Sequence, residues 1–243
     1  MRFVEVLIGF FWWFCFPIRK KLAIEQYQRC FPARDPRELR KSVGTCAGQY
    51  IEIFMGRRAV VRYPASLMKG GICLAGHGVG WDIALMSLGA HVPITIFVRD
   101  LPPSWFHRWL SKIRKRNNIE ELRGSHTMQR GYEALKEGRL LIFVQDQRYH
   151  KGIKTLFFGR ECYTSPAFAV AALERDVPIY GAWQTKEDGR YVATIERLPL
   201  HHVQRDKKSV ESLTQQTQDF YERKIRENPH GWLWLHKRWK IPP

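Results

Sequence analysis

Apolar and polar positions along this chain fall into short hydrophobic runs separated by glycine-rich or charged turns, a rhythm that predicts strands alternating with helices. The run at 72–75 is continuously apolar behind a Gly-Gly pair and predicts a buried strand. A second apolar stretch, 81–88, follows glycines 78 and 80 and predicts a helix that begins just after a turn. Residues 93–98 are β-branched and predict a strand, 105–116 a basic helix, and 128–136 a helix stopped by Gly138. The strongly apolar 140–144 predicts another buried strand. It is followed by a glycine-bounded segment at 151–160, an alanine-rich helix at 167–173 and a strand at 177–183. Together these predict a single-domain α/β sandwich.

The N-terminus differs from the rest. Residues 3–18 carry one charge, Glu5, and are followed by Arg19-Lys20-Lys21. As a helix this segment would extend about 24 Å, short of the roughly 30 Å hydrocarbon core of a bilayer. It suits an uncleaved hydrophobic membrane-anchoring helix, seated in or tilted through the bilayer, with the basic triplet holding the next segment on the cytoplasmic side. Bulky Trp12, Trp13, Phe14 and Phe16 occupy the place where a signal peptidase would need small residues. Packing of this helix on the domain itself is the competing reading. The expected organisation is an anchor with basic flank at 1–21 and one catalytic domain at 22–243, since no repeat or linker interrupts the remainder.

A formal net charge of +17, from 40 Lys and Arg against 23 Asp and Glu, points to anionic partners without naming them. Phospholipid headgroups, other lipid phosphates and an acidic carrier protein all qualify. The nine tryptophans concentrate near the N-terminus, at 105–109 and near the C-terminus, and no nucleic-acid motif accompanies the basic residues, so a membrane surface is favoured over nucleic acid. Five cysteines, odd in number and without C-x-x-C spacing, argue against a disulfide framework or a zinc site and fit a reducing, cytosol-facing domain with no metal.

The chemistry-bearing segment is Gly76-His77-Gly78-Val79-Gly80-Trp81-Asp82, at the end of the predicted strand 72–75. On an unbroken helix, residues five apart point roughly 140° away from each other, so His77 and Asp82 can meet only across a turn. The glycines permit that turn. Asp82 would then fix the imidazole tautomer while His77 takes a proton from an attacking hydroxyl. The spacing alone is weak: nine histidines and 23 acidic residues predict roughly 0.85 chance matches. His201 and Asp206 repeat it in a polar stretch with neither strand nor glycine turn, and that pair reads as solvated.

The order of further blocks carries a resemblance. His77-x4-Asp82, Arg99 after a strand, Arg114, Asp146-Gln147 after an apolar strand, Phe157-Phe158-Gly159, Phe31-Pro32 and the ending from Pro229 to Lys240 together resemble the late (secondary) acyltransferases of lipid A biosynthesis, within the lysophospholipid acyltransferase-like superfamily. The resemblance spans nearly the whole chain. It implies the mixed sheet of the glycerolipid acyltransferase type, His77 and Asp82 as catalytic residues, and Arg99, Arg114, Asp146 and Gln147 as substrate-binding or supporting residues. It also implies acyl carrier protein as thioester donor and a hydroxyl of a lipid A precursor as acceptor. It implies no cofactor beyond that co-substrate. The location it implies is the bacterial inner membrane, with the catalytic domain on the cytoplasmic side.

Two departures concern the acceptor: Gln145 precedes Asp146 where the family has proline, and Arg148 follows where an acidic residue is common. Another phospholipid or glycolipid acceptor is therefore the runner-up, and a catalytically inactive basic membrane-binding protein is the competing class. Without the resemblance, Arg99 and Arg114 read as solvated arginines. Asp146 and Gln147 read as turn residues. Trp232, Trp234 and Trp239 read as packing or membrane contact. An acyl groove would draw on Leu85, Leu88 and the N-terminal helix.

Overall fold

The structure, a computed structural model, describes residues 2–98, 103–125, 127–199 and 204–239. Three helices come first, α1 (Arg2–Phe14), α2 (Lys20–Cys30) and α3 (Leu39–Phe54), then β1 (Val60–Arg62), β2 (Gly71–Ala75) and α4 (Trp81–Gly89). The middle of the chain gives β3 (Ile94–Phe97), α5 (Ser104–Arg116), β4 (Ile119–Leu122), α6 (Thr127–Lys136) and β5 (Leu140–Val144). A hairpin of β6 (Ile153–Phe157) and β7 (Arg160–Thr164) precedes α7 (Ala167–Arg175), β8 (Ile179–Glu187), β9 (Arg190–Arg197) and α8 (Lys207–Glu227).

Seven strands form one mixed sheet in the order β1-β9-β8-β2-β5-β3-β4, and β6-β7 stand apart as a two-stranded ribbon. Every pairing in the large sheet is parallel except β8 with β9. Central β2 and β5 are paired in register from Gly71 opposite Leu140 to Ala75 opposite Val144. Their continuous apolar runs follow from burial on both faces. Ile72, Leu74, Leu141 and Phe143 pack into one core with α7, α8 and the C-terminal tryptophans. Cys73, Ala75, Leu140 and Ile142 pack into the other with residues of α4 and α5. Each fully buried Leu or Ile contributes about 1.5–3 kcal/mol.

The expected strand at 177–183 is β8, which runs further and turns into β9; β9 and α8 have no counterpart among the sequence expectations. Asp206, half of the decoy pair, accepts from the Ser209 backbone N–H at 2.7 Å and caps α8. His201 lies outside the described residues. The three C-terminal tryptophans are buried at 0–1% exposure, so they pack inside the protein and make no membrane contact.

Tilting through the bilayer as a spanning helix is the part of the anchor expectation that the structure corrects. Among the described residues, no helix is long and apolar enough to cross a membrane. The helical part of the segment, α1, has only 13 residues and lies antiparallel on α3. The glycines explain the closeness: a Cβ on Gly9 would strike the Arg40 carbonyl, and one on Gly44 the Glu5 carbonyl. Glu5, the one charge in the apolar run, is buried where it pairs with Lys186 of β8, which also reaches Glu52 at 3.2 Å. The opposite face of α1 exposes Phe3, Val6, Phe10, Phe11 and Phe14.

Candidate active site

β2 and β5 end side by side, and each delivers one half of the site. Beyond Ala75 the chain turns through Gly76 to His77; beyond Val144 it turns through Gln145 to Asp146. Crevices at the carboxyl ends of parallel strands are the usual place for ligands in open α/β sheets. Asp146 is fully buried and accepts three hydrogen bonds: from the His77 backbone N–H at 2.7 Å, from His77 Nδ1 at 2.9 Å and from Trp232 Nε1 at 2.7 Å. The His77 side chain keeps about a quarter of its surface exposed. With Nδ1 donating to Asp146, Nε2 carries the free lone pair.

The sequence pairing of His77 with Asp82 is therefore corrected. Asp82 opens α4, where Gly80, in the left-handed region at φ 78°, makes the turn. Its carboxylate is 2% exposed and is held by Arg114 Nη2 at 2.5 Å and the Tyr50 hydroxyl at 2.8 Å. Gln49 Oε1 accepts from the Asp82 backbone N–H at 2.9 Å. The tautomer of His77 is set by Asp146, and Asp82 acts on the ring only through its charge at longer range. Five residues across the turn carry the Asp82 side chain onto α3 and α5 instead.

Arg114 is likewise placed differently from a substrate clamp. It is buried, with Nη2 on Asp82 and Nη1 on Glu121 Oε1 at 2.8 Å, so its fork is committed to two carboxylates. Gln147 is exposed, and its amide donates to His77 Nε2 at 3.0 Å. Arg99 lies outside the described residues.

A C-terminal strap closes the site, and His236 is the residue that sequence reasoning missed. Leu233 N–H donates to the His77 carbonyl at 3.0 Å, and Val79 N–H donates to the Gly231 carbonyl at 2.9 Å, so the strap grips both sides of the histidine turn. His236 then lies against His77, ring centroids 4.4 Å apart and planes tilted by 54°, and Gln147 Nε2 lies 3.3 Å from its Nδ1. Arg238, fully buried, donates to the Gln147 carbonyl at 2.9 Å and to the oxygens of Tyr163, Thr164 and Gln218. The sequence signal for His236 was its place in the C-terminal block that carries the resemblance.

Electrostatics follow the geometry. Burial would push the His77 pKa down, but the charge and hydrogen bond of Asp146, with a further push from Asp82, outweigh it and hold the pKa above its ordinary value. Burial opposes ionisation of Asp146 too, yet the His77 ring and the Trp232 hydrogen bond hold its pKa well below the usual carboxylate range. His236 moves the opposite way, down to about 4, because it is buried and faces the charge of His77.

An α/β domain that presents a carboxylate-held imidazole at the end of a parallel sheet has the geometry that a general base requires. The chain belongs to the bacterial lipid A biosynthesis acyltransferase family, whose profile matches residues 65–241 and so takes in β2, β5, the site and nearly all of the strap. Among solved structures, it is similar to the 1-acyl-sn-glycerophosphate (LPA) acyltransferase, PlsC, from Thermotoga maritima. The two share 16% identity over 94% of this chain and 99% of that one, with a TM-score of 0.42. No curated protein matches the chain.

Proposed function

We propose that this acyltransferase moves a fatty acyl chain from a thioester, carried by acyl carrier protein, to a hydroxyl of a lipid A precursor. The observation that carries the reading is the His77–Asp146 contact, which fixes the proton on Nδ1 and leaves Nε2 to act as base. The acceptor hydroxyl displaces the Gln147 amide from Nε2 and gives its proton to the ring as its oxygen attacks the thioester carbonyl. A C–O bond forms, the C–S bond breaks, and the leaving thiolate takes the proton back from the imidazolium. No covalent acyl-enzyme is needed, because the acceptor oxygen is itself the nucleophile.

Asp82, Arg114 and Tyr50 serve this chemistry by fixing the first turn of α4 beside the histidine turn. An apolar seam between α4 and the sheet, lined by Trp81, Leu85, Leu88 and Ile142, begins next to His77 and supports an acyl-chain path. It encloses only about 20 Å³, so a chain enters by parting these side chains. Residues of α1 do not line it. The exposed apolar face of α1, with Arg19-Lys20-Lys21 close behind, supports seating on the cytoplasmic face of the inner membrane.

Mass spectrometry of lipids from cells with and without the chain tests the assignment. One added acyl group on a lipid A precursor is expected; an acyl gain on a different glycolipid or phospholipid would replace the acceptor, and an unchanged lipid profile would refute transfer.

A further inference from the structure

Beside the Asp82–Arg114 pair, a cleft of about 480 Å³ opens between the end of α3, α4 and α5. Neighbours of the site form its inner wall, since Ile83 follows Asp82 and Ile113 precedes Arg114, but His77, Asp146 and Gln147 take no part. Its rim carries Arg57, Arg58, Lys112 and Arg116, and among the described residues no acidic side chain lines it. Its floor is apolar, built from Ile53, Ile83, Met86, Trp109 and Ile113.

The cations are arranged, not scattered. Arg58 Nη1 donates to the Met86 carbonyl at 3.0 Å and to Asn117 Oδ1 at 2.6 Å, and Asn117 is itself braced by the Ile113 carbonyl at 2.8 Å. That guanidinium is held in place before any ligand arrives. Lys112 and Arg116, one helical turn apart, have no acidic partner among the described residues. Arg108 extends the same row, and like charges at this spacing cost about 0.2–0.5 kcal/mol per pair unless an anion offsets them. Among the described residues, Arg57 pairs only with Glu52, at 3.9 Å.

Exposed Phe54, Met55 and Trp105 stand on the helices that form the opening. Because α1 is antiparallel to α3, its exposed Phe3 points toward the same end. Cations above an apolar floor, beside protruding hydrophobic side chains, match a ligand that is anionic at one end and greasy at the other.

We infer that this cleft is an ancillary binding site, separate from the catalytic pocket, for a phosphate-bearing lipid, its phosphate on Arg58, Lys112 and Arg116 and its first acyl carbons on Trp109 and Ile113. The inference goes beyond the acyl-transfer reading and does not depend on it.

Isothermal titration of the full chain with dihexanoyl phosphatidic acid, dihexanoyl phosphatidylcholine and inorganic phosphate tests it. Phosphatidic acid should saturate one site at least tenfold more tightly than either of the others. Lys112→Gln with Arg116→Gln should weaken it tenfold or more. Trp109→Ala should weaken the lipid but leave inorganic phosphate unchanged. The exposed pair Lys207→Gln with Lys208→Gln removes the same charge from α8 and should stay within twofold.

Equal loss in that control, absence of saturation, or inorganic phosphate binding as tightly as the lipid would overturn the site. Binding is read without turnover, so a failure of acyl transfer leaves this test intact. Where turnover is measured, the Lys112/Arg116 variant should keep kcat within twofold. A collapse of kcat would make the cleft part of the acceptor's own pocket and overturn its separateness.

Discussion

Replacing Asp146 by asparagine isolates the contact on which the mechanism turns. The carboxylate accepts from His77 N–H, His77 Nδ1 and Trp232 Nε1 at 2.7, 2.9 and 2.7 Å. Asparagine keeps one oxygen, which can serve the backbone N–H and the indole, and turns its amide N–H toward Nδ1. Two donors cannot share that contact, so the imidazole proton moves to Nε2 and the base is lost. The same inversion in a serine-protease triad costs about 10⁴ in kcat, roughly 5.5 kcal/mol, and a loss on the order of 10³–10⁴ is expected here.

The pH profile supplies a second readout. To act as the proposed base His77 must be neutral, and Asp146 outweighs burial to hold its pKa above the ordinary value, so wild-type kcat/KM should fall as pH drops through that raised value. In Asp146→Asn burial prevails, and the acidic limb should move to lower pH. Thiol release from an acyl thioester, followed from about pH 5 to about pH 9, measures both effects. An Asp146→Asn enzyme within tenfold of wild type, with its acidic limb unmoved, would refute the assignment.

Asp82→Asn should act first on stability: it leaves Arg114 buried with only Glu121 to offset its charge, a loss of about 3–5 kcal/mol visible in thermal denaturation. Its acidic limb should shift less than that of Asp146→Asn, and the reverse order would restore Asp82 as the partner of His77. Arg238→Met removes four hydrogen bonds behind Gln147; a lower melting temperature with increased proteolysis of the C-terminal strap is expected, and unchanged stability would contradict the bracing role. Gly44→Leu forces α1 off α3 and should destabilise by about 1–3 kcal/mol, whereas an unchanged melting temperature would show that the two helices do not touch in solution.

Much of the frame was legible because β2 and β5 are buried on both faces and read as unbroken apolar runs. The same runs located His77 and Asp146 at strand ends. Their pairing was not legible: the two residues are 69 positions apart, and only the parallel register of Ala75 against Val144 brings them together. Five residues across a glycine turn allow Asp82 to contact His77, but its side chain finds a stronger partner in Arg114, contributed by a helix whose docking no local pattern encodes. The seating of α1 on α3 was hidden for a related reason. The composition of α1 suits lipid, while the glycines that seat it, Gly9 in α1 and Gly44 and Gly48 in α3, become meaningful only once the helices are side by side. Gln147 and His236 meet at His77 through the C-terminal strap, another contact set by tertiary folding.

Single-turnover acyl transfer to a purified lipid A precursor, with the product weighed by mass spectrometry, tests whether a neutral His77 removes the acceptor's proton. Wild type should add one acyl group, and His77→Ala, folded and equally membrane-bound, should be slower by at least about 10³. Product formation by His77→Ala at a rate near wild type would contradict the account.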